Sequence, residues 1–274
     1  MDAQTFDKLR ALKGSVSTVV LGQVEESFSH ALSNMRDWNT RNGFLSVEYV
    51  NVPAALVEVG RDTVIEHALH ERYDYALQID ADAAPFPQDL LAQMLWTAFV
   101  ARPDADVVGA YCQVKGSYSP TIDTGTGTWE IHYPGEGILD VIRTGAHAIL
   151  VKPRICTKFG PPWFRTRRTM RPIDALAEID NYARIHEDGE NALTQTETWQ
   201  RLVAKAREAG GGGVSAVGED SGFCDAVKAV GGRIYVNTDI WVGHVERRVI
   251  VPQLLDDEMK KREDRLKALV GVYA

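Results

Sequence analysis

Four short apolar runs, STVVLG (17–22), FLSVEYV (44–50), YALQI (75–79) and DADVVGAYC (104–112), are separated by stretches whose apolar residues recur at helical spacing. That alternation predicts an α/β domain with a mainly parallel sheet, because parallel strands need long crossovers and helices supply them. Between the first two runs, residues 24–43 place Phe28, Leu32 and Met35 on one helical face, and Gly43 closes the helix. Residues 61–73 gather Val64, Ile65, Ala68 and Leu69 into one stripe, and 87–101 give a third helix with Pro87 near its first turn. No segment repeats at a fixed period, so a solenoid is not expected.

The second half is less regular. Turn residues divide 113–151 into short strand-like pieces, which predicts a small antiparallel extension of the sheet. Residues 164–196 are polar and charged and read as a long loop or lid. Further helices are expected over 197–210, 219–232 and 252–270, with a last strand in RIYVNTDIWVGH (233–244). GGGG (210–213) reads as a flexible break, since no phosphate-loop pattern accompanies it.

Composition narrows the class of molecule. A net charge of -8, from 30 Lys plus Arg against 38 Asp plus Glu, argues against a surface that grips nucleic acid throughout, although a local basic patch remains compatible. Cys112, Cys156 and Cys224 are odd in number and widely spaced, which suggests neither a disulfide framework nor a zinc knuckle. The charged MDAQTFDKLR start lacks a signal-peptide core, and no stretch reaches the roughly 18 apolar residues that span a bilayer. A soluble protein of the cytoplasm is expected, with no membrane partner.

Two clusters of carboxylates carry the chemical signal. Asp80 and Asp82 end the run YALQI, and ligands of open α/β sheets bind outside the carboxyl ends of strands. Such a pair offers hard oxygen ligands to Mg²⁺ or Mn²⁺. On position alone an Asx turn or helix cap explains it equally well. Glu219 and Asp220 open a helix, where capping is the plain alternative, and His244 follows the last strand. Taken singly, His244 reads as a hydrogen-bonded, partly buried histidine.

In this order the motifs resemble GT-A-fold glycosyltransferases of the family 2 type and their phage and bacterial relatives. The resemblance rests on GRDTVIEHAL followed by YDYALQIDADAAPFPQDLL, on DVVGAYCQVKGSYSP, on GAHAILVKPRICTKFGPPWF, and on GED leading to GGRIYVNTDIWVGH; it covers about residues 15–247. It implies one catalytic domain over 1–274, with a donor half near 14–112 and an acceptor half near 113–250. It also implies a nucleotide-sugar donor, UDP-sugar foremost, and a divalent cation, Mn²⁺ or Mg²⁺.

Carried over residue by residue, Asp80-Ala81-Asp82 is the D-x-D, with Asp80 near the ribose or metal and Asp82 on the ion, whose shell His244 completes. Arg61 and Asp62 would lie close to the nucleotide or donor sugar, and Gly22 and Gln23 near the base. Asp220 would be the general base, with Glu219 orienting it or the acceptor. Trp163 would sit beside the acceptor or sugar, joined by the basic run holding Arg165, Arg167 and Arg168. The plain reading of that run is a solvated loop. Phage relatives glycosylate modified DNA bases, so a hydroxylated base in DNA is one acceptor candidate.

Weaker features have plain readings. His67 and His70 share a helix face but match no zinc-protease order. Trp129, Tyr133, Trp163 and Trp241 could stack on sugars, although aromatic residues in strands more often pack in cores. A sugar-1-phosphate nucleotidylyltransferase should carry a Gly- and Arg-rich loop after the first strand, where this chain reads LGQVEES. A non-catalytic nucleotide- or carbohydrate-binding module is the other alternative.

Overall fold

Strands that are buried on both faces read as near-continuous apolar runs, and β3 (Tyr75–Ile79) and β4 (Val107–Tyr111) are buried at every residue. They belong to a seven-stranded sheet with β1 (Gly14–Val20), β2 (Val47–Pro53), β6 (Ile138–Val141), β8 (Ala148–Val151) and β11 (Ile234–Trp241), in the order β2-β1-β3-β8-β4-β11-β6. β2, β1, β3, β4 and β11 run the same way, while β8 and β6 are antiparallel to their neighbours. A two-stranded ribbon, β5 (Ile122–Asp123) with β7 (Arg143–Thr144), lies outside that sheet. The mixed, mainly parallel α/β class expected from the sequence is the fold found.

The computed structural model describes residues 2–21, 24–54, 56–112, 121–125, 134–165, 167–171 and 213–245. Gly22, Gln23, Trp129, Tyr133 and the helices expected over 197–210 and 252–270 lie outside the described residues, as does most of the expected lid. All the described elements belong to one unit, Met1–His244.

Helices cover both faces. On one side α3 (Val57–His70) and α5 (Glu219–Ala229) pack with the 3₁₀ turn Pro153–Lys158, burying Val64, Ile65, Ile155, Phe223 and Val227 against Ala76, Ile149 and Val236 of the sheet. α4 (Leu90–Trp96), which runs on into a π turn over Thr97–Ala101, packs over β4 and β11 with α1 (Ala3–Arg10) and α2 (Glu26–Arg41) beside it. Its Leu90, Leu91, Met94 and Leu95 are fully buried. In α2 Phe28 and Met35 of the expected face are buried together with Ala31, while Leu32 is only partly buried.

Four local expectations are corrected. Helix α3 begins at Val57 rather than at Arg61, and β2 runs to Pro53 because it pairs with β1 in register up to Val20. Of the pieces expected as an antiparallel extension, β6 lies at the sheet's edge and β5 with β7 forms the ribbon outside it, but β8 inserts antiparallel between β3 and β4. Finally, Arg167–Arg171, expected as loop, forms β9, paired antiparallel with β10 (Gly213–Val217); the last glycine of GGGG therefore starts a strand.

Candidate active site

β3, β8, β4 and β11 are consecutive in the sheet, and at one edge each adjoins a residue able to bind an ion or a polar ligand. Asp80 follows β3, Cys112 follows β4, His147 precedes the antiparallel β8, and His244 lies just beyond β11. The edge is laced together by backbone: Asp80 N–H donates to the His147 carbonyl at 2.9 Å, and Ala83 forms an isolated bridge with His244. The D-x-D turn and the late histidine are thereby neighbours.

Arg61 joins the two carboxylate clusters. Its side chain is 3 % exposed, and its Nη2 donates to Asp80 Oδ1 at 2.6 Å while its Nε lies 3.5 Å from Glu219 Oε1. The second contact is an ion pair without hydrogen-bond geometry, so Nε remains buried without a hydrogen-bond partner. Nη1 donates to Gln78 Oε1 and to the Ala146 carbonyl. A buried guanidinium demands this kind of compensation, because an unpaired charge away from water is costly.

Glu219 and Asp220 form the first turn of α5, after Gly218. Asp220 Oδ1 accepts the Ser221 N–H at 2.6 Å within that first turn, while Gly218 holds the N-cap position without a side-chain cap. Burial pushes the Glu219 carboxyl above its ordinary value; the Arg61 charge works against that shift and the Asp220 charge with it.

Asp82 Oδ2 lies 3.1 Å from His244 Nε2. His244 packs edge-on against His147, with ring centroids 4.4 Å apart. The Nδ1 atoms of both rings are buried without a hydrogen-bond partner. Burial holds His147 below the usual histidine value, which favours the neutral ring that binds metals. One ligating atom from each of Cys112, His147 and His244 lies within 4.8 Å of the others. Orphaned imidazole nitrogens beside two carboxylates fit a divalent cation.

The remaining expected residues are placed differently. Asp62 Oδ1 accepts the backbone N–H groups of Trp163 and Phe164, at 3.0 and 2.8 Å, so it anchors the PPWF loop. Trp163 is buried and its indole N–H donates to the Cys156 carbonyl at 2.9 Å; it packs in the core instead of offering the sugar-stacking face expected of it. Arg165 donates to the carbonyls of Pro161 and Pro162, and Arg167 and Arg168 lie on β9. His67 is spent on Glu48, 2.6 Å away. His147 and Cys112 were missed as site residues; the strand-end rule that singled out Asp80 applies to Cys112, whereas His147 precedes its strand and reaches the same edge only because β8 runs antiparallel.

No protein-family model matches the chain, and no curated protein matches it either. Among solved structures, A197 from STIV is 17 % identical and superposes with a TM-score of 0.51 over 86 % of this chain and 87 % of its own. GalNAc-T7, solved with UDP, GalNAc and Mn²⁺, is 9 % identical with a TM-score of 0.45 over 87 % of this chain and 44 % of its own. A glycosyltransferase involved in glycosylation of the major capsid of PBCV-1 is 10 % identical with a TM-score of 0.32 over 55 % of this chain and 68 % of its own. At these identities the likeness to A197 shows the fold alone, a mixed α/β sheet flanked by helices.

Proposed function

We propose that this chain is a metal-dependent glycosyltransferase that moves a hexose or pentose from a nucleotide-diphosphate sugar, with UDP-sugar the first donor to test, to an acceptor hydroxyl. The observation that carries the reading is Arg61, a buried cation touching Asp80 on one side and Glu219 on the other. Through it the donor-side D-x-D and the carboxylates of α5 belong to one site. Residues 1–274 then work as a single catalytic domain.

Asp80, Asp82 and His244 are the residues that would hold the cation, which when bound supplies positive charge to offset the departing diphosphate. Asp220 takes the proton of the acceptor hydroxyl as that oxygen bonds to the anomeric carbon; the bond from this carbon to the diphosphate oxygen breaks, and the diphosphate leaves with the electron pair. Glu219 orients the acceptor, and Arg61 keeps Glu219 and Asp80 from repelling each other. A positioned base contributes about 10²- to 10⁴-fold. A second assignment has its own support: burial raises the proton affinity of Glu219, which suits it as the acceptor of the proton.

A hydroxylated base in DNA remains the acceptor favoured by the basic residues Arg165, Arg167 and Arg168, against the net charge of -8 of the whole chain. No helix among the described residues is long and apolar enough to cross a membrane.

The test is a panel of UDP- and GDP-sugars with Mn²⁺, read as donor hydrolysis and as transfer to hydroxylated DNA. Wild type should turn over one donor, and Asp82→Ala and Asp220→Asn should lose the reaction. Full activity in Asp82→Ala overturns the reading. Nucleotidyl transfer from a nucleoside triphosphate to a sugar phosphate would make the chain a nucleotidylyltransferase, and donor binding without turnover a binding module.

A further inference from the structure

We propose that the cation is held by Cys112, His147 and His244, a sulfur and two imidazoles, and that it is a borderline ion of the Zn²⁺ or Co²⁺ kind. Asp82 serves it indirectly, by orienting His244. The inference rests on the divalent-cation part of the reading above and replaces its ligand set.

Topology supplies the first argument. The three residues stand at the same edge of β8, β4 and β11, three adjacent strands, so the sheet itself converges them. Their ligating atoms lie within 4.8 Å of one another. Ligands around one tetrahedral zinc, with bonds of about 2.0–2.3 Å, stand roughly 3.5 Å apart. For one ion to take all three, these atoms must draw together by about 1 Å.

Hydrogen bonding supplies the second. His244 has its Nε2 against Asp82 Oδ2 at 3.1 Å, while its Nδ1 is buried without a partner. A carboxylate on one ring nitrogen holds the proton there and leaves the lone pair on the other, the arrangement in which imidazole binds metal. His147 Nδ1 is likewise buried with no partner. Two lone pairs hidden from water, a ring contact apart and beside a thiol, are left unsatisfied by the protein alone.

Donor chemistry supplies the third. Mg²⁺ favours an octahedral shell of oxygens, whereas a thiolate with two imidazoles selects Zn²⁺ or Co²⁺ and leaves a fourth position open. A diphosphate oxygen or the second carboxylate, Asp80, can enter that position. Binding requires the Cys112 proton to leave to solvent as the metal–sulfur bond forms.

The experiment strips the full chain of metal with a chelator and titrates it with CoCl₂, following absorbance. Wild type should develop intense visible bands together with a near-ultraviolet thiolate-to-cobalt band. Cys112→Ser should lose the ultraviolet band and Cys156→Ser should keep it; His147→Gln should weaken binding, and Asp82→Asn should weaken it about 10- to 100-fold while retaining the band. Should the Cys112 or His147 variants fail to fold, cadmium NMR of the wild-type chain reports sulfur ligation directly. Binding with no thiolate signal, unchanged in Cys112→Ser and His147→Gln but lost in an Asp80→Asn/Asp82→Asn double variant, overturns the inference and leaves the carboxylate reading standing. An absence of Co²⁺, Zn²⁺ and Mn²⁺ binding in wild type overturns both.

Discussion

Arg61 Nη2 lies 2.6 Å from Asp80 Oδ1 and has almost no contact with water. Removing the guanidinium leaves Asp80 and Glu219 facing each other in a partly buried pocket. We expect Arg61→Met to cost about 3–5 kcal/mol in urea unfolding and to abolish transfer. Arg61→Lys should restore only part of either, because one ammonium cannot replace a planar fork that reaches Gln78, Ala146, Asp80 and Glu219 together.

Glu219 sets a pH dependence of stability. Its carboxyl is raised above 4.5 in the folded state, first by burial. Below the unfolded value both states hold the proton and the burial cost is absent; as pH rises through the folded value the cost comes fully into force. Glu219→Gln should therefore gain stability relative to wild type as pH is raised from about 4.5. Parallel chemical denaturation of the two proteins from acid to neutral pH measures this, and a constant difference would refute it.

Lys152 gives a second window at the opposite end. Its Nζ donates to the carbonyls of Ala98 and Pro103 at 2.8 and 3.0 Å, yet burial lowers its pKa from 10.5 to about 8. Between those values the unfolded chain binds the proton and the folded chain releases it, so stability rises with pH. Lys152→Met should remove that rise, by an amount on the order of 2 kcal/mol. Thermal or urea unfolding from pH 7 to pH 10.5 checks it.

Gly243 leaves no room for a side chain. A Cβ there would meet the Ala84 carbonyl oxygen and would stand 2.6 Å from Pro85 Cδ. Gly243→Ala should push His244 away from Asp82, lowering cation affinity in calorimetry by tenfold or more while far-ultraviolet circular dichroism stays unchanged. Unaltered affinity would mean that His244 takes no part in binding.

What the sequence by itself determined is local. YALQI is a strand from Tyr75 to Ile79 at both predicted ends, because its apolar run is bounded by Asp74 and Asp80. The buried faces of α2 and α3 follow from period alone. The strand-end rule placed Asp80 and Asp82 beyond the carboxyl end of β3, and the helix-start pattern placed Glu219 and Asp220 in the first turn of α5. The start of α3 was not legible, since exposed Val59 blurs the stripe and the helical Gly60 that packs against Val19 reads as a break.

Tertiary structure decided the rest, and the reason is distance along the chain. Whether β8 joins an edge or enters between β3 and β4 depends on pairing that no local period encodes. Arg61 became the link between two carboxylate clusters only when α3 and α5 packed on one face of the sheet. Trp163, expected at a sugar, was drawn into the core by its indole N–H and by Asp62 beneath its loop. Cys112 carried only the signal of a strand end and His147 none; the order of three strands brings them beside His244, where two buried nitrogens lack partners.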